Sequence, residues 1–292
     1  MIGGAFHIDG ASNWHYYLGK YEVSKGQFAA VMGKGDIKKG IARLIELSGD
    51  KEDEKLIRKS DDDLNLALAF PVTSIGWLDL QTFIHAYNAW CFADTTCKAA
   101  MPQIKAKDGD SETGYGFLRL PTELEWEYAA RGGLDRRFFE NSLPFDREDS
   151  KKFAFVKPVA KSSTQRIGTL SPTLGGLYDL FGNLQELTAD LFQADQGQGK
   201  SGAMTVRGGS YFTSQNDISS AWRNELPWYQ VKPSSGEVLE SRHPATGIRL
   251  VIAAPVVPTK KYLEQIEGEY TKYAKEYRTD TPVVGGASTR MI

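Results

Sequence analysis

Cysteine and histidine are scarce in this chain of 292 residues, which has two of the former and four of the latter. Cys91 and Cys97, with five residues between them, fit neither a redox Cys-x-x-C motif nor the usual zinc spacing. Two readings of the pair stay open: one small disulfide in an exported protein, or two buried free thiols. No apolar run approaches the ~18 residues of a membrane span, and the N-terminus lacks the basic-then-apolar pattern of a signal peptide. The formal net charge is −2, and the basic runs are short pairs such as Lys38-Lys39 and Lys260-Lys261. That leaves no electrostatic footprint for nucleic acid. The chain starts directly in strand-like sequence (Gly3 to Phe6) and stops at Ile292 without a closing element, so a leader or a further domain at either end stays open.

What is present is ordinary in bulk and unusual in texture. Hydrophobic content of 41% and charged content of 25% allow a well-filled core, in one large domain or two ordinary ones. The 29 glycines and the 11% of aromatics sit beside turn signals rather than in long helical repeats. The expected class is therefore α+β and loop-rich.

In chain order, short strands are expected at 4–8, 14–17 and 21–23, with Ser24 capping a helix through Phe28 and Val31. Ile41, Leu44, Ile45 and Leu47 predict a second short helix. Residues 35–66, with their dense mixture of both charges, read as a solvated helical insertion or as a partner-binding surface. Leu80, Phe83, Ile84, Tyr87 and Trp90 fall on one helical face, which places that helix against the core and His85 off its stripe. Residues 95–116 read as a polar connection. In Arg119 to Gly133, Thr122 and Glu125 form a capping box and Gly132-Gly133 supplies the stop. Glu123 and Glu127 on that helix are assigned to the helix dipole and solvent. A long loop follows over 134–172, with brief strands near 153–156 and 165–168. Later come a Gly-rich turn at 197–202, a strand–bend–strand at 205–212, a polar and aromatic stretch at 213–246, and a buried strand at 247–252. Beyond Pro255 and Pro258, residues 255–292 form a C-terminal extension. Tyr262, Ile266, Tyr270, Tyr273, Ala274 and Tyr277 give it an amphipathic helix that docks on the domain or leads into a neighbour.

The stretch Gly175 to Asp190 constrains the chain most. Gly182-Asn183 is a turn signal between short apolar segments, and the carboxylates Asp179 and Glu186 flank it. Carboxylates on both sides of such a turn meet around a hard cation, because the bent backbone also turns its carbonyls inward. The alternative is that both acids are solvated or cap neighbouring amides.

Taken together, Pro71-Val72 with Trp77 and Asp79, RLPTELEWEYAARGG at 119–133, GLYDLFGN at 176–183, RGGSY at 207–211, Ala221-Trp222-Arg223 and GIRL at 247–250 resemble the sulfatase-modifying, formylglycine-generating-enzyme family of the C-type-lectin-like fold. The likeness runs from about residue 2 to 254. It implies a domain over 1–254 with a small twisted antiparallel sheet, two main helices and much ordered loop. It also implies a structural calcium ion held by the Asp179 and Glu186 side chains and the backbone oxygens of Gly182 and Leu184. Thr173 and the Leu184-Gln185-Glu186-Leu187 run depart from the family pattern around that ion.

Catalysis fares differently. Family enzymes hold copper between two cysteine thiolates soon after the GGSY strand, soft ligands for a soft ion. Here Thr213 stands at the first of those positions and Gln215 or Ile218 at the second, so thiolate-copper chemistry is excluded on composition and no copper is expected. The iron-dependent relatives need a histidine triad partly carried by an H-x-x-x-H-x-E pattern, which His7, His15, His85 and His243 do not form. The resemblance therefore points to a non-catalytic member, calcium-stabilised, acting in ligand recognition or protein assembly. Its expected binding surface carries Tyr211, Asn216, Asp217, Trp228, Tyr229, Arg242 and His243, a composition typical of interfaces. A protein partner or a surface ligand is the expected occupant, in a periplasmic or secreted setting. The competing expectation is an enzyme with cysteine-independent, metal-dependent oxidative chemistry in the same pocket, drawing on Ser210, Asp217 and His243.

Overall fold

The computed structural model describes residues 2–3, 15–101, 103–105, 113–133, 143–160, 163–193, 202–253, 268–269 and 271–272. Strands β1 (Ile2–Gly3) and β2 (His15–Leu18) lead into helix α1 (Lys25–Met32), whose N-cap Ser24 accepts the Gln27 amide at 3.0 Å. Helices α2 (Ile37–Ser48), α3 (Lys51–Glu54) and α4 (Asp61–Leu68) follow, then the long α5 (Trp77–Ala93) and the short α6 (Thr95–Ala100). Strands β3 (Gln103–Lys105), β4 (Thr113–Tyr115) and β5 (Phe117–Arg119) precede α7 (Glu123–Ala130). The second half is built from α8 (Ser150–Phe153), β6 (Ala154–Phe155), β7 (Phe181–Gly182), β8 (Gln185–Leu191), β9 (Met204–Arg207), β10 (Arg223–Leu226), β11 (Tyr229–Val231), β12 (Val238–Glu240), β13 (Thr246–Gly247) and β14 (Val251–Ala253).

Two four-stranded sheets organise these pieces, with orders β1-β2-β14-β5 and β10-β9-β8-β13. In the first, β14 lies between β2 and β5, so residues from the two ends of the domain and its middle share one sheet. In the second, β8 pairs antiparallel with β9 and parallel with β13. Hairpin β11–β12 and the pairs β3–β4 and β6–β7 stand apart from both. This is the α+β, loop-rich class read from the sequence, with more short helices than the two expected.

Helix α5 is the centre of the main core. Leu80, Phe83, Ile84 and Tyr87 are buried along the expected stripe, and Trp90 packs at its margin. Buried Asn88 imitates a strand partner, accepting the Leu118 amide at 2.7 Å and donating to the Leu118 carbonyl at 2.8 Å, which fixes α5 on β5. A second cluster gathers Trp126, Leu180, Phe181 and Ile218 under α7. The capping box of α7 is formed as read, with Thr122 Oγ1 accepting the Glu125 amide and Glu125 accepting the Thr122 amide.

The structure revises several expectations. The charged stretch over 35–66 is not only a solvated excursion: Ile41, Leu44, Leu47 and Leu56 belong to the main core, and buried Asp53 pairs with Lys25 and accepts from Ser48 at 2.8 Å. Each fully buried aliphatic side chain there contributes about 1.5–3 kcal/mol by leaving water, which a purely solvated helix would lack. The connection at 95–116 holds α6, β3 and β4, and residues 165–168 form a turn instead of a strand. After β9 the chain turns through Gly208 and Gly209 without a second strand. The expected strand at 4–8, most of the turn at 197–202 and nearly all of the extension at 255–292 lie outside the described residues. Within the extension, 268–269 and 271–272 are helical and exposed. Among the described residues, no helix is long and apolar enough to cross a membrane.

Candidate functional site

The chain around β7 bends through three left-handed residues, Asp179 (φ 57°) before it, Gly182 (φ 84°) within it and Asn183 (φ 56°) after it. Only glycine fits at 182, since a Cβ there would stand 2.4 Å from the Phe155 carbonyl oxygen, and asparagine tolerates the left-handed region better than most residues. Three carboxylates converge behind this turn. Glu186 is completely buried and accepts from Arg249 through Nη2 at 2.7 Å and Nε at 3.0 and 3.1 Å, while Trp126 Nε1 donates to its second oxygen at 2.7 Å. Arg249, equally buried, also donates to the carbonyls of Gly19 at 2.9 Å and Tyr178 at 2.7 Å. Glu22 accepts from Asn183 Nδ2 at 2.6 Å and from the Leu184 amide at 3.1 Å. Asp179 accepts the Gly168 amide at 2.6 Å on Oδ2, and its buried Oδ1 has no hydrogen bond.

Burial, then the charges of Asp179 and Glu186, push the Glu22 carboxyl well above the usual carboxylate range. Burial likewise raises Asp179, against the Gly168 amide and Arg249, which favour its charged form. The cluster thus sets three acids against one guanidinium.

This geometry bears directly on the calcium set implied by the resemblance. A hard cation takes bare carboxylate oxygens. Asp179 offers one, Oδ1, whereas both Glu186 oxygens are filled by Arg249 and Trp126. A cation held jointly by Asp179 and Glu186, with the Gly182 and Leu184 backbone, does not fit this arrangement.

The RGGSY segment packs beside the turn. Gly208 (φ 85°) lets the chain pass where a Cβ would come within 2.6 Å of the Leu180 carbonyl. Tyr211 donates its amide to the Asn183 carbonyl at 3.0 Å. Thr213 Oγ1 accepts the Ser210 amide at 2.9 Å, and Ser210 Oγ accepts the Phe212 amide at 3.3 Å. Buried Arg207 reaches Glu123 and Glu127 on α7 at 2.7 Å each, and Arg223 reaches Glu123 at 2.6 Å. Those two glutamates are therefore partners of sheet arginines, which corrects their assignment to solvent. Cys91 and Cys97 are bonded to each other and lie on and beside α5, with a Cα–Cα distance of 5.0 Å.

The seven residues expected to bind a ligand divide into two groups. Tyr211 is buried in a small cluster with Ala160, Leu184 and Ala245. Trp228 packs edge-on against Trp77, centroids 4.7 Å apart. Arg242 donates to Asp79 at 2.6 Å and to the Leu47 carbonyl of α2. His243 Nδ1 accepts the Ala245 amide at 3.2 Å, and burial lowers its pKa. These four hold the loop in place. Asn216 and Asp217 are exposed on a turn that Arg147 grips through the carbonyls of Gln215, Asn216 and Ile218. Tyr229 is 64% exposed on β11. Val231 on the same strand is 62% exposed and Val238 on β12 64%. Tyr229, Val231 and Val238 share one hairpin face with Glu240 at its base, since Tyr229 pairs with Glu240 and Val231 with Val238. Arg207, Trp126 and Arg249 stand inside motifs that carry the resemblance, and Glu22 inside an expected strand, but the sequence assigns none of them its polar partner, because a single charged or aromatic residue carries no periodic signal of what it meets in space.

A lectin-like assembly of two small sheets, wrapped in braced loops and carrying an outward hairpin, defines a loop-presenting domain. Residues 11–254 match the sulfatase-modifying factor enzyme 1-like domain, and the chain belongs to that family. It is 31% identical over 134 residues to the inactive C-alpha-formylglycine-generating enzyme 2 of Bos taurus, covering 44% of this chain and 35% of that protein. It is 34% identical over 127 residues to the formylglycine-generating enzyme of Streptomyces coelicolor, covering 37% and 40%. The chain thus spans well under half the length of these relatives. A chaperone protein LppX of Paenibacillus barcinonensis is 25% identical over 195 residues, covering 59% and 60%. Among solved structures, Treponema denticola variable protein 1 superposes with a TM-score of 0.53 at 20% identity, covering 82% of this chain and 84% of its own. CarF does so with 0.52 at 20%, covering 87% and 94%. At that identity these two show the fold alone.

Proposed function

We propose that this chain is a recognition module of its family that binds a protein partner through the hairpin at 228–240. The observation that carries the reading is the contrast between the hairpin's anchored base and its bare apolar face. The base is held by Trp228 on Trp77, by Glu240 on the Leu78 amide and by Arg242 on Asp79. The face, Tyr229, Val231 and Val238, is more than three-fifths exposed. An isolated two-stranded hairpin is marginal in water, and a rigidly mounted apolar face of this kind is the usual anchor of an interface. The chaperone name of one relative and the inactive-enzyme name of another support a binding role over catalysis. A catalytic alternative drawing on Ser210, Asp217 and His243 has less support, because Ser210 and His243 accept neighbouring backbone amides and Asp217 is exposed. The disulfide favours an oxidising compartment, periplasmic or extracellular. Calcium stays outside this reading, since Glu186 is committed to Arg249.

The experiment compares proteins co-purifying with the wild type and with Tyr229→Ala/Val231→Asp. Specific loss of a partner with an unchanged melting temperature is expected. Retention of every partner by a folded double variant overturns the proposal.

A further inference from the structure

We infer that Arg249 is a resident counter-ion that takes the part of a bound divalent cation at the Asp179–Glu186 turn, so that this chain braces its loop surface without metal. The guanidinium behaves as an oxygen-coordinated cation would. It receives a carboxylate, Glu186, and two backbone carbonyls, Tyr178 from the same turn stretch and Gly19 from the far N-terminal part of the chain. Both charged groups are 0% exposed, and the contact is fork-like, with Nε and Nη2 both on Glu186. Such bidentate geometry is what makes a desolvated pair favourable, and the two carbonyls occupy two further donors. Trp126 Nε1 fills the last position on Glu186, closing the carboxylate to any further ligand.

The neighbouring acids are arranged for neutral donors in the same way. Glu22 receives a backbone amide and a side-chain amide, and Asp179 receives the Gly168 amide on Oδ2. Glu22 thus meets N–H groups on both oxygens, where a metal site would gather further oxygens, and Asp179 meets one on Oδ2 and leaves Oδ1 unpartnered. A tethered cation differs from a bound one in what it responds to. It does not dissociate, it ignores chelators, and its strength does not follow the calcium concentration outside the protein.

The test uses the purified full chain. Its melting temperature is measured in EDTA and in millimolar CaCl2, with calcium titration calorimetry alongside. Coincident melting temperatures and no stoichiometric heat are expected. A site filled to about a hundred times its Kd would instead raise the midpoint by roughly 5 °C or more. Such a rise, abolished by Asp179→Ala, overturns the inference. Arg249→Met leaves Glu186 buried and unpartnered and is expected to lower the melting temperature sharply or to prevent folding. The double variant Arg249→Met/Glu186→Leu is expected to recover soluble protein in EDTA, because neither charge then lacks its partner. An Arg249→Met protein as stable as the wild type in EDTA also overturns it.

Discussion

The Glu240 carboxylate accepts the backbone N–H of Leu78 at 2.8 Å across 162 positions of sequence. The N-cap residue of α5 is Gly76, which has no side chain to accept a helix amide, so a residue of the distant hairpin supplies the acceptor. A Cβ at 76 would meet the Glu240 carboxylate at 2.2 Å, so a larger residue there would push that carboxylate off the Leu78 amide. The mount of the hairpin and the start of the core helix are one contact.

Arg242 extends that mount to α2, and Arg242→Ala should loosen it. The Arg242–Asp79 pair is partly screened, with side chains 32% and 17% exposed, so a loss of about 1 kcal/mol is expected. Hydrogen exchange should show faster amide exchange over 228–243 and at the end of α2 while α7 is unchanged. Equal exchange in both segments would disprove the coupling.

Asp53 should matter more than its place in a charged run implies. It is 1% exposed, pairs with Lys25 and accepts from Ser48. Asp53→Ala strands Lys25 at a half-closed site and is expected to cost about 3 kcal/mol, read as a lower urea midpoint at constant slope. By contrast, Glu52, exposed and paired with Lys55, should be replaceable by Ala within about 0.5 kcal/mol.

Gly182→Ala combines a positive φ with a Cβ placed 2.4 Å from Phe155 O and 2.6 Å from Val156 Cγ1. A loss of roughly 2–4 kcal/mol follows, visible as low soluble yield or an early thermal transition. Gly176→Ala, also at positive φ but with open space around it, should lose only about 1 kcal/mol.

Acid should act on the loop through His243. Burial lowers its folded pKa, so the fold prefers the neutral ring and the unfolded chain takes up the proton first. The stability this group contributes is complete above the unfolded pKa of about 6.5 and is lost as pH falls through the lowered folded value. His243→Gln should flatten the stability profile below about pH 6.5 and leave it unchanged at pH 8, as measured by urea midpoints across that range. An identical slope in the variant would rule out His243 as the cause.

What the sequence revealed was local. The α5 stripe and the Thr122–Glu125 capping box repeat at helical spacing, and Gly182-Asn183 is a turn by residue type, so these elements appear where they were read. The acids at 179 and 186 were located for the same reason. Their partners were not, because Arg249 lies 63 positions from Glu186 and no pattern links them. Glu123 and Glu127 failed likewise, their arginine standing 84 and 80 positions away. The insertion misled because charge dominates its composition, whereas four spaced aliphatic residues decide its burial.

The place of β14 between β2 and β5 has a consequence for how the protein is made. Synthesis runs from the N-terminus, so β2 and β5 emerge long before the strand that joins them. Arg249 arrives with that strand, two residues ahead of it. Until about residue 253 clears the ribosome exit, the first sheet stays split and the acids behind the turn lack their cation. The nascent domain must therefore keep both open strand edges and uncompensated charge from other chains until nearly all of it has been translated.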